Sequence, residues 1–277
     1  MDVVLTLIMS IALGLFVGVF SGMLGIGGGT VLVPAFRLLF GLDPLESTAT
    51  SLFTIIPTSL SGTISHLRHK TIHIPLGLCM GIAGGCTSWI GVLLAGISPG
   101  WLVMVCAAVI IGYSAFNMFQ KARKMKLINS KSEIKSKTET EIESNTKAPR
   151  DLNMRTLLIG AAIGVFAGLV SGFIGVGGGF IMVPLMVAFF NMPLKSASGT
   201  SLVAIIILAI PAVVQQAMLG NVIYLTGFLV VIGSIPGAVF GAKLVQVTPE
   251  RRLRFIFGGF LMLAAALLAL NELNVLG

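Results

Sequence analysis

The sequence predicts an all-α protein that crosses a membrane several times and consists of two related halves. Three observations lead to this prediction. Of the 277 residues, 56% are hydrophobic and 10% are charged, whereas a soluble domain carries about 25% charged residues. The apolar residues stand in several runs whose length suits membrane-spanning helices. The segment Ser21–Pro34 also returns as Ser171–Pro184, 150 residues further along the chain.

The repeated segment reads SGMLGIGGGTVLVP in the first half and SGFIGVGGGFIMVP in the second. A helix does not continue easily through Gly25–Gly29, because each interior glycine costs about 1 kcal/mol relative to alanine. We therefore expect a helix that breaks there and restarts near Thr30, with the same break ahead of Phe180. A restarted helix presents free backbone N–H groups and the positive end of its dipole, which suit an anion.

The two matched breaks have a functional and a structural interpretation. Broken helices at equivalent places in two repeats are a sequence indication of a transporter's binding site. Within a membrane, such backbone is tolerated only where protein buries it or water reaches it. The alternative is that the glycines only let helices pack closely. The recurrence at the same place in each half favours a binding role.

Around its glycine run, the first half is expected to form a hairpin followed by three membrane spans. Val3–Phe20 make a first arm, and Thr30–Phe40 make a second arm about 16 Å long at 1.5 Å per residue. That length is about half a bilayer, so the two arms should enter the membrane and return to the same side. The spans follow at about 48–65, 74–97 and 101–119, and the first of them carries many hydroxyl side chains.

The second half repeats this plan after a hydrophilic segment. Its arms are Leu157–Val170 and Phe180–Phe190, and its spans lie at about 198–218, 222–247 and 252–270. Between the halves, the composition changes to Lys, Ser, Thr and Glu with few large apolar side chains, which is typical of a solvated linker. The predicted domains are a first transmembrane repeat over 1–119, a hydrophilic linker over 120–155 and a second transmembrane repeat over 156–277.

Lysine and arginine residues near the span ends predict the orientation, because they favour the cytoplasmic side of a cell membrane. With the linker in the cytoplasm, both termini lie outside, only Arg37 lies on the outer side, and the inner residues are Arg68, Lys70, Lys195 and Arg251–Arg254. Each half then makes an odd number of crossings, so the halves are inverted repeats. The two breaks should enter from opposite faces and meet near the midplane, as in alternating-access carriers.

The predicted spans contain no deeply placed Asp or Glu, which a cation site would normally use. Glycine backbone, helix N-termini and hydroxyl groups remain, and they suit a small oxyanion. The predicted substrate-binding residues are Gly27, Gly28, Gly29, Thr30, Thr50, Ser51, Gly177, Gly178, Gly179, Thr200 and Ser201. The alternative for each hydroxyl is a bond back to its own helix.

The remaining polar residues are weaker candidates. They are Gln215 and Gln216 for the same path, Arg37 for attracting an anion, and His66, His69 and His73 for sensing pH. The net charge of +8 lies in loops, so it reports orientation and not a nucleic-acid partner. The three cysteines fall in apolar stretches without metal-ligand spacing or a disulfide framework. We therefore predict no metal site, no cofactor and no enzymatic activity.

The pattern SGxxGxGGGxxxVP, placed twice and followed by Ala-Thr-Ser-Leu or Gly-Thr-Ser-Leu at the next span, resembles the TauE/SafE sulfite exporter family, also called the TSUP family. The resemblance covers both halves and leaves out the linker. It implies a membrane carrier for sulfur-containing anions such as sulfite, sulfonates and sulfoacetate, often linked to protons.

Together these features predict a secondary transporter of a small anion that alternates access around the paired breaks. Two alternatives remain open. One is a passive anion channel, and the other is a membrane sulfur-relay protein that uses Cys79 or Cys86.

Overall fold

The computed structural model describes residues 3–132 and 153–249, together with part of the stretch 252–270. These residues form helices joined by short turns, and no strand occurs among them. The described residues of 252–270 are also helical. The nine helices with complete bounds are α1 (Val3–Leu24), α2 (Gly29–Leu39), α3 (Pro44–Arg68), α4 (Ile74–Ile97), α5 (Gly100–Ser132), α6 (Met154–Ile174), α7 (Gly179–Phe189), α8 (Leu194–Met218) and α9 (Tyr224–Val247).

Five of these helices are long and apolar enough to cross a membrane, namely α1, α4, α6, α8 and α9. The prediction of an all-α polytopic membrane protein is therefore confirmed. The helix α3 is long enough, but it is less apolar because ten of its 25 residues are Ser or Thr, and all ten are buried. Within α5, the described residues Gly100–Tyr113 form a shorter apolar segment.

The described helix ends differ from the sequence expectation mainly around the linker. The helix α5 continues to Ser132, through residues 120–132 that composition had assigned to the linker. The predicted linker residues 133–152 lie outside the described part of the chain, as do Arg251, Arg254 and residues 271–277.

The two halves interlock, because the first arm of each half packs along a helix of the other half. The helix α1 lies against α9, and α6 lies against α4. These helices touch backbone to backbone: a β-carbon added at Gly18 would overlap the carbonyl of Ser234, and one added at Gly168 would overlap the carbonyl of Gly84. The close-packing role of glycine is therefore present here, along the arms.

The contacts between these helices also fix their directions. In the pair α1 and α9, Gly14 lies against Val230 and Gly22 against Ala238, so the two helices run parallel. The pair α4 and α6 is parallel in the same way, with Gly164 against Met80 and Gly172 against Ser88.

The helices α3 and α8 cross in opposite directions at the centre of the bundle. Gly199 near the start of α8 lies against His66 near the end of α3, and Gly62 lies against Leu202. The helix α9 runs parallel to α3, and α4 runs parallel to α8. Consequently α1, α3 and α9 point one way, and α4, α6 and α8 point the other way. Each helix therefore runs opposite to its counterpart in the other half: α1 to α6, α3 to α8, and α4 to α9.

The first break ends α1 halfway along its neighbour. Gly22, in the last turn of α1, packs against Ala238, which lies near the middle of α9. The helix α2 then leads through a four-residue turn to the start of α3, where the Asp43 N–H donates to Glu46 Oε2 at 3.0 Å. The start of α3 lies beside the start of α9. The helix α1 runs parallel to α9, with Gly14 against Val230, so α1 also begins at that end. The pair α1 and α2 therefore enters and leaves at the same end of the bundle.

Candidate functional site

The two glycine breaks touch each other at the crossing of α3 and α8. A β-carbon added at Gly29 would collide with the backbone of Val176, and one added at Gly179 would collide with the carbonyl of Gly25. Both breaks also lie against the same pair of side chains, Ile55 of α3 and Ile205 of α8. The sequence expectation that the two breaks meet inside the bundle agrees with this geometry.

The backbone of the two breaks is nearly the same. Gly27 and Gly28 have φ values of 73° and 88°, and Gly177 and Gly178 have φ values of 84° and 71°. This left-handed region strongly favours glycine. The arrangement turns the chain sharply, so that α2 and α7 begin directly at the meeting point with Gly28 and Gly178 as N-caps that offer no side chain.

Several backbone amides at the meeting point have no acceptor within the described part of the chain. They include the N–H groups of Gly27, Gly28, Gly177 and Gly178. All four glycines are buried, and buried backbone N–H groups are nearly always paired. The positive ends of the dipoles of α2 and α7 add to the same region. The meeting point therefore offers hydrogen-bond donors to an anion.

Several hydroxyl groups near the first break are also unpaired. Ser21, Thr30 and Ser59 are fully buried, and their hydroxyl oxygens have no partner among the described residues. The Ser59 hydroxyl oxygen lies 3.3 Å from the place where a β-carbon on Gly27 would be, and the Ser21 β-carbon lies 3.6 Å from the same place on Gly28.

The sequence interpretation did not include Ser21 and Ser59 in the site. Ser21 opens the repeated segment, and Ser59 lies two helical turns after the predicted Ser51, so the motif and the helical spacing were the available signals. Ser51 itself is fully buried and its hydroxyl has no partner.

The predicted residues Thr50 and Thr200 form bonds between the halves. The Thr50 hydroxyl oxygen accepts the N–H of Ile223 at 3.0 Å, and the Thr200 hydroxyl oxygen accepts the N–H of His73 at 3.0 Å. The first bond holds the turn before α9 against α3, and the second bond holds the turn before α4 against α8. These hydroxyls therefore have a packing role, but it joins the two halves and is not the bond back to their own helix that the sequence had left as the alternative.

The predicted Ser201 supports the first break from α8. Its hydroxyl lies 2.7 Å from the carbonyl oxygen of Gly25 and 2.8 Å from that of Ser198. The Ser198 hydroxyl in turn donates to the carbonyl of Leu24 at 3.0 Å. These bonds satisfy carbonyl groups at the end of α1 and hold the break in place.

Among the weaker candidates, His66 joins three elements. Its Nε2 lies 2.9 Å from the carbonyl oxygen of Gly22, so this nitrogen carries the proton, and its Nδ1 lies 2.9 Å from the Thr71 hydroxyl. The counterpart of His66 is Gln216, whose Oε1 accepts the Asn221 side-chain amide at 2.7 Å. Both residues therefore tie a helix end to the turn that follows it.

The other polar candidates lie at the rim of the bundle. Arg37 donates through Nη1 to the carbonyl of Leu42 at 3.1 Å. His73 precedes α4, and its partial burial lowers the pKa of its imidazole. Cys79 and Cys106 are half-buried and Cys86 is exposed, all as free thiols.

The charges around the meeting point are limited. No Lys, Arg, Asp or Glu side chain is buried among the residues whose burial is described, and no group of metal ligands is found in the described part. The meeting point can therefore donate hydrogen bonds from amides and hydroxyls, but no buried cationic side chain in the described part of the chain would balance the charge of an anion.

Comparison with known proteins gives a consistent result. The model of the family described as Sulfite exporter TauE/SafE matches residues 10–268. The probable membrane transporter protein YunE of Bacillus subtilis is 28% identical over 247 residues, which cover 87% of each chain. The probable membrane transporter protein YjnA of the same organism is 27% identical over 260 residues, which cover 92% of this chain and 96% of YjnA.

A plant protein is similar over a shorter region. Sulfite exporter TauE/SafE family protein 3 of Arabidopsis thaliana is 30% identical over 128 residues, which cover 42% of this chain and 26% of that protein. No solved structure matches this chain.

Proposed function

Because this chain belongs to the sulfite exporter TauE/SafE family, we propose that it is a secondary transporter of a small anion, of the sulfur-containing class that includes sulfite and the sulfonates. It is a multi-pass membrane protein, and its curated relatives are probable membrane transporters.

The observation that carries the proposal is the contact between the two breaks, where the buried amides of Gly27, Gly28, Gly177 and Gly178 have no acceptor in the described part of the chain. An anion accepts hydrogen bonds from such amides and is stabilised by the helix N-termini behind them. A cation would need carboxylates or several free carbonyl oxygens. The residues proposed to line the site are the glycines and hydroxyls predicted from sequence, with Ser21 and Ser59 added. Among them, Thr50, Thr200 and Ser201 support the site through their bonds between the halves.

The opposite directions of the paired helices support inverted repeats and alternating access. In this proposal, the repeats occupy 1–119 and 156–277, the linker 120–155 lies in the cytoplasm, and both termini lie outside. The interlocked pairs, α1 with α9 and α6 with α4, would move as two units around the fixed meeting point. Each position of these units would open the site toward one side of the membrane.

Counterflow in liposomes tests this function. Liposomes containing the purified protein are loaded with unlabelled sulfite and diluted into a trace of [³⁵S]sulfite, with protein-free liposomes as the control. A transporter should accumulate label transiently above equilibrium, and the rate should saturate with sulfite concentration. With the membrane potential clamped to zero, a passive channel gives no transient accumulation, and this result would reject the proposal. An imposed pH gradient in the same liposomes should change the rate, since the resemblance also implies proton coupling.

A further inference from the structure

The two breaks share one backbone geometry, but their surroundings differ. The position of a β-carbon on Gly27 lies 3.3 Å from the Ser59 hydroxyl oxygen, whereas the atoms nearest to the same position on Gly177 all belong to Ile55 and Ile205. The neighbours of Gly178 are Ala167 and Leu208. A hydroxyl group therefore borders Gly27, whereas the side chains beside Gly177 and Gly178 are apolar.

The same difference recurs between α2 and α7 and between the crossing helices α3 and α8. Hydroxyl residues of the first half have apolar counterparts 150 residues later: Thr30 with Phe180, Thr54 with Ala204, Thr58 with Leu208, Ser59 with Ala209, and Thr63 with Val213. Phe180 is fully buried and belongs to the hydrophobic core. The duplication has thus kept both breaks, but these hydroxyl groups of the first half have no counterpart in the second half.

The unpaired hydroxyls point to a ligand and not to a structural role. Thr58 donates to the carbonyl of Thr54 at 2.8 Å and lies 2.6 Å from the Ser234 hydroxyl, so it ties helices together. Its neighbour Ser59 is equally buried, yet no partner is found for its hydroxyl in the described part. Ser171 also lacks a partner, so the difference between the breaks rests on Ser59 and Thr30.

We propose that the anion is held at the first break alone, by the amides of Gly27 and Gly28 and the hydroxyl of Ser59, and that the second break seals the site without binding. This inference rests on the proposed transport function and assigns its site to one of the two repeats. It also gives the two halves different roles, since the hydroxyl that would bind the anion, that of Ser59, belongs to the first half.

The charge of the ligand follows from the same surroundings. No buried Lys or Arg is available among the residues whose burial is described, so amide and hydroxyl dipoles alone must replace the water around the anion. The one buried imidazole, that of His66, already contacts Gly22 and Thr71. In the Born picture, removing a double charge from water costs about four times as much as removing a single charge. The site therefore selects compact monoanions such as methanesulfonate over dianions such as sulfate.

Two matched variants test this assignment, Ser59→Ala in the first half and Ala209→Ser at its counterpart. Calorimetry on the purified protein with methanesulfonate, and the Michaelis constant of sulfite counterflow, should both be weakened about tenfold or more by Ser59→Ala, the typical effect of losing a hydrogen bond to an anion. Ala209→Ser should leave both unchanged. Sulfate should bind more weakly than methanesulfonate to the wild-type protein.

The melting temperature of ligand-free Ser59→Ala distinguishes a binding role from a structural role of this hydroxyl, because losing a structural hydrogen bond would lower it. Removing an unpaired buried hydroxyl does not destabilise a protein, so Ser59→Ala should melt at or above the wild-type temperature. A lower melting temperature together with unchanged affinity would overturn the assignment.

The outcomes also separate this inference from the function itself. Equal effects of the two variants, or no effect of Ser59→Ala, in a protein that transports sulfite would reject the single site and leave the transporter proposal intact. Tighter binding of sulfate would reject the monoanion class. A wild-type protein that neither binds methanesulfonate nor shows counterflow would remove the transport function and this inference with it.

Discussion

Replacing Gly27 by alanine would place a methyl group between the first break and the hydroxyl that faces it. The added carbon would lie 2.9 Å from Ile55 Cγ2 and 3.3 Å from the Ser59 hydroxyl oxygen. An anion oxygen needs to approach a hydroxyl to about 2.5–2.7 Å, and the methyl group occupies that approach. Losing this hydrogen bond costs about 1.5–3 kcal/mol, which corresponds to a roughly 10- to 100-fold weaker affinity.

Backbone strain must be separated from this effect. Alanine at a left-handed position costs about 1–2 kcal/mol, and the φ of Gly27 is 73°. Gly41 is the control, because its φ is 66° and no atom lies within 4 Å of its added β-carbon. Gly41→Ala therefore carries the strain without filling the site.

The assay compares melting temperature and methanesulfonate affinity of the two variants with the wild-type protein. Both variants should be destabilised by strain, and Gly27→Ala also by its contact with Ile55, but only Gly27→Ala should lose affinity. Normal affinity in Gly27→Ala, or an equal loss in Gly41→Ala, would refute the reasoning that the ligand contacts the first break beside Gly27.

Three further predictions concern packing, pH and the cysteines. Gly168→Ala should lower the melting temperature, because overpacking against the backbone of Gly84 costs about 1–3 kcal/mol, whereas Gly85→Ala, with its nearest contact at 3.6 Å, should not. Since burial lowers the pKa of His73, the folded state binds fewer protons than the unfolded state below pH 6.5. Stability is then lost as pH falls through that value, and His73→Gln should flatten the melting profile. Replacing all three cysteines by alanine should preserve sulfite counterflow, and its loss would favour the sulfur-relay alternative.

Much of the fold could be predicted because the breaking of helices by glycine and the length of apolar runs are local properties of the sequence. The restart expected near Thr30 occurs at Gly29, and the span expected from about residue 48 to 65 is α3, which extends from Pro44 to Arg68. The cost of glycine in a helix and the length of apolar runs depend only on neighbouring residues, so these features are visible in one sequence.

The interlocking of the halves could not be predicted in the same way. The glycines of α1 indicate a face for close packing, but they do not identify α9 as the helix that fills it. For the same reason, Thr50 was predicted to line the site although its hydroxyl bonds to Ile223, far along the chain.

The site hydroxyls show the limit most clearly. Thr58 and Ser59 are adjacent and chemically similar, yet one bonds to Ser234 and the other faces the first break. Adjacent helix positions differ by about 100° around the axis, so the orientation of α3 against α8 and α9 decides their roles. That orientation is a property of the packed bundle.

Accessibility of position 59 from both sides of the membrane tests the central claim most directly. Ser59→Cys, made in a protein whose native cysteines are replaced by alanine, is exposed to a membrane-impermeant, negatively charged methanethiosulfonate reagent in vesicles of either orientation, with Ala209→Cys as the matched control. We predict that Ser59→Cys reacts from each side and that methanesulfonate slows both reactions, while Ala209→Cys shows no such protection. Reaction from one side only, or reaction that methanesulfonate leaves unchanged, would contradict an anion site that opens alternately to the two sides.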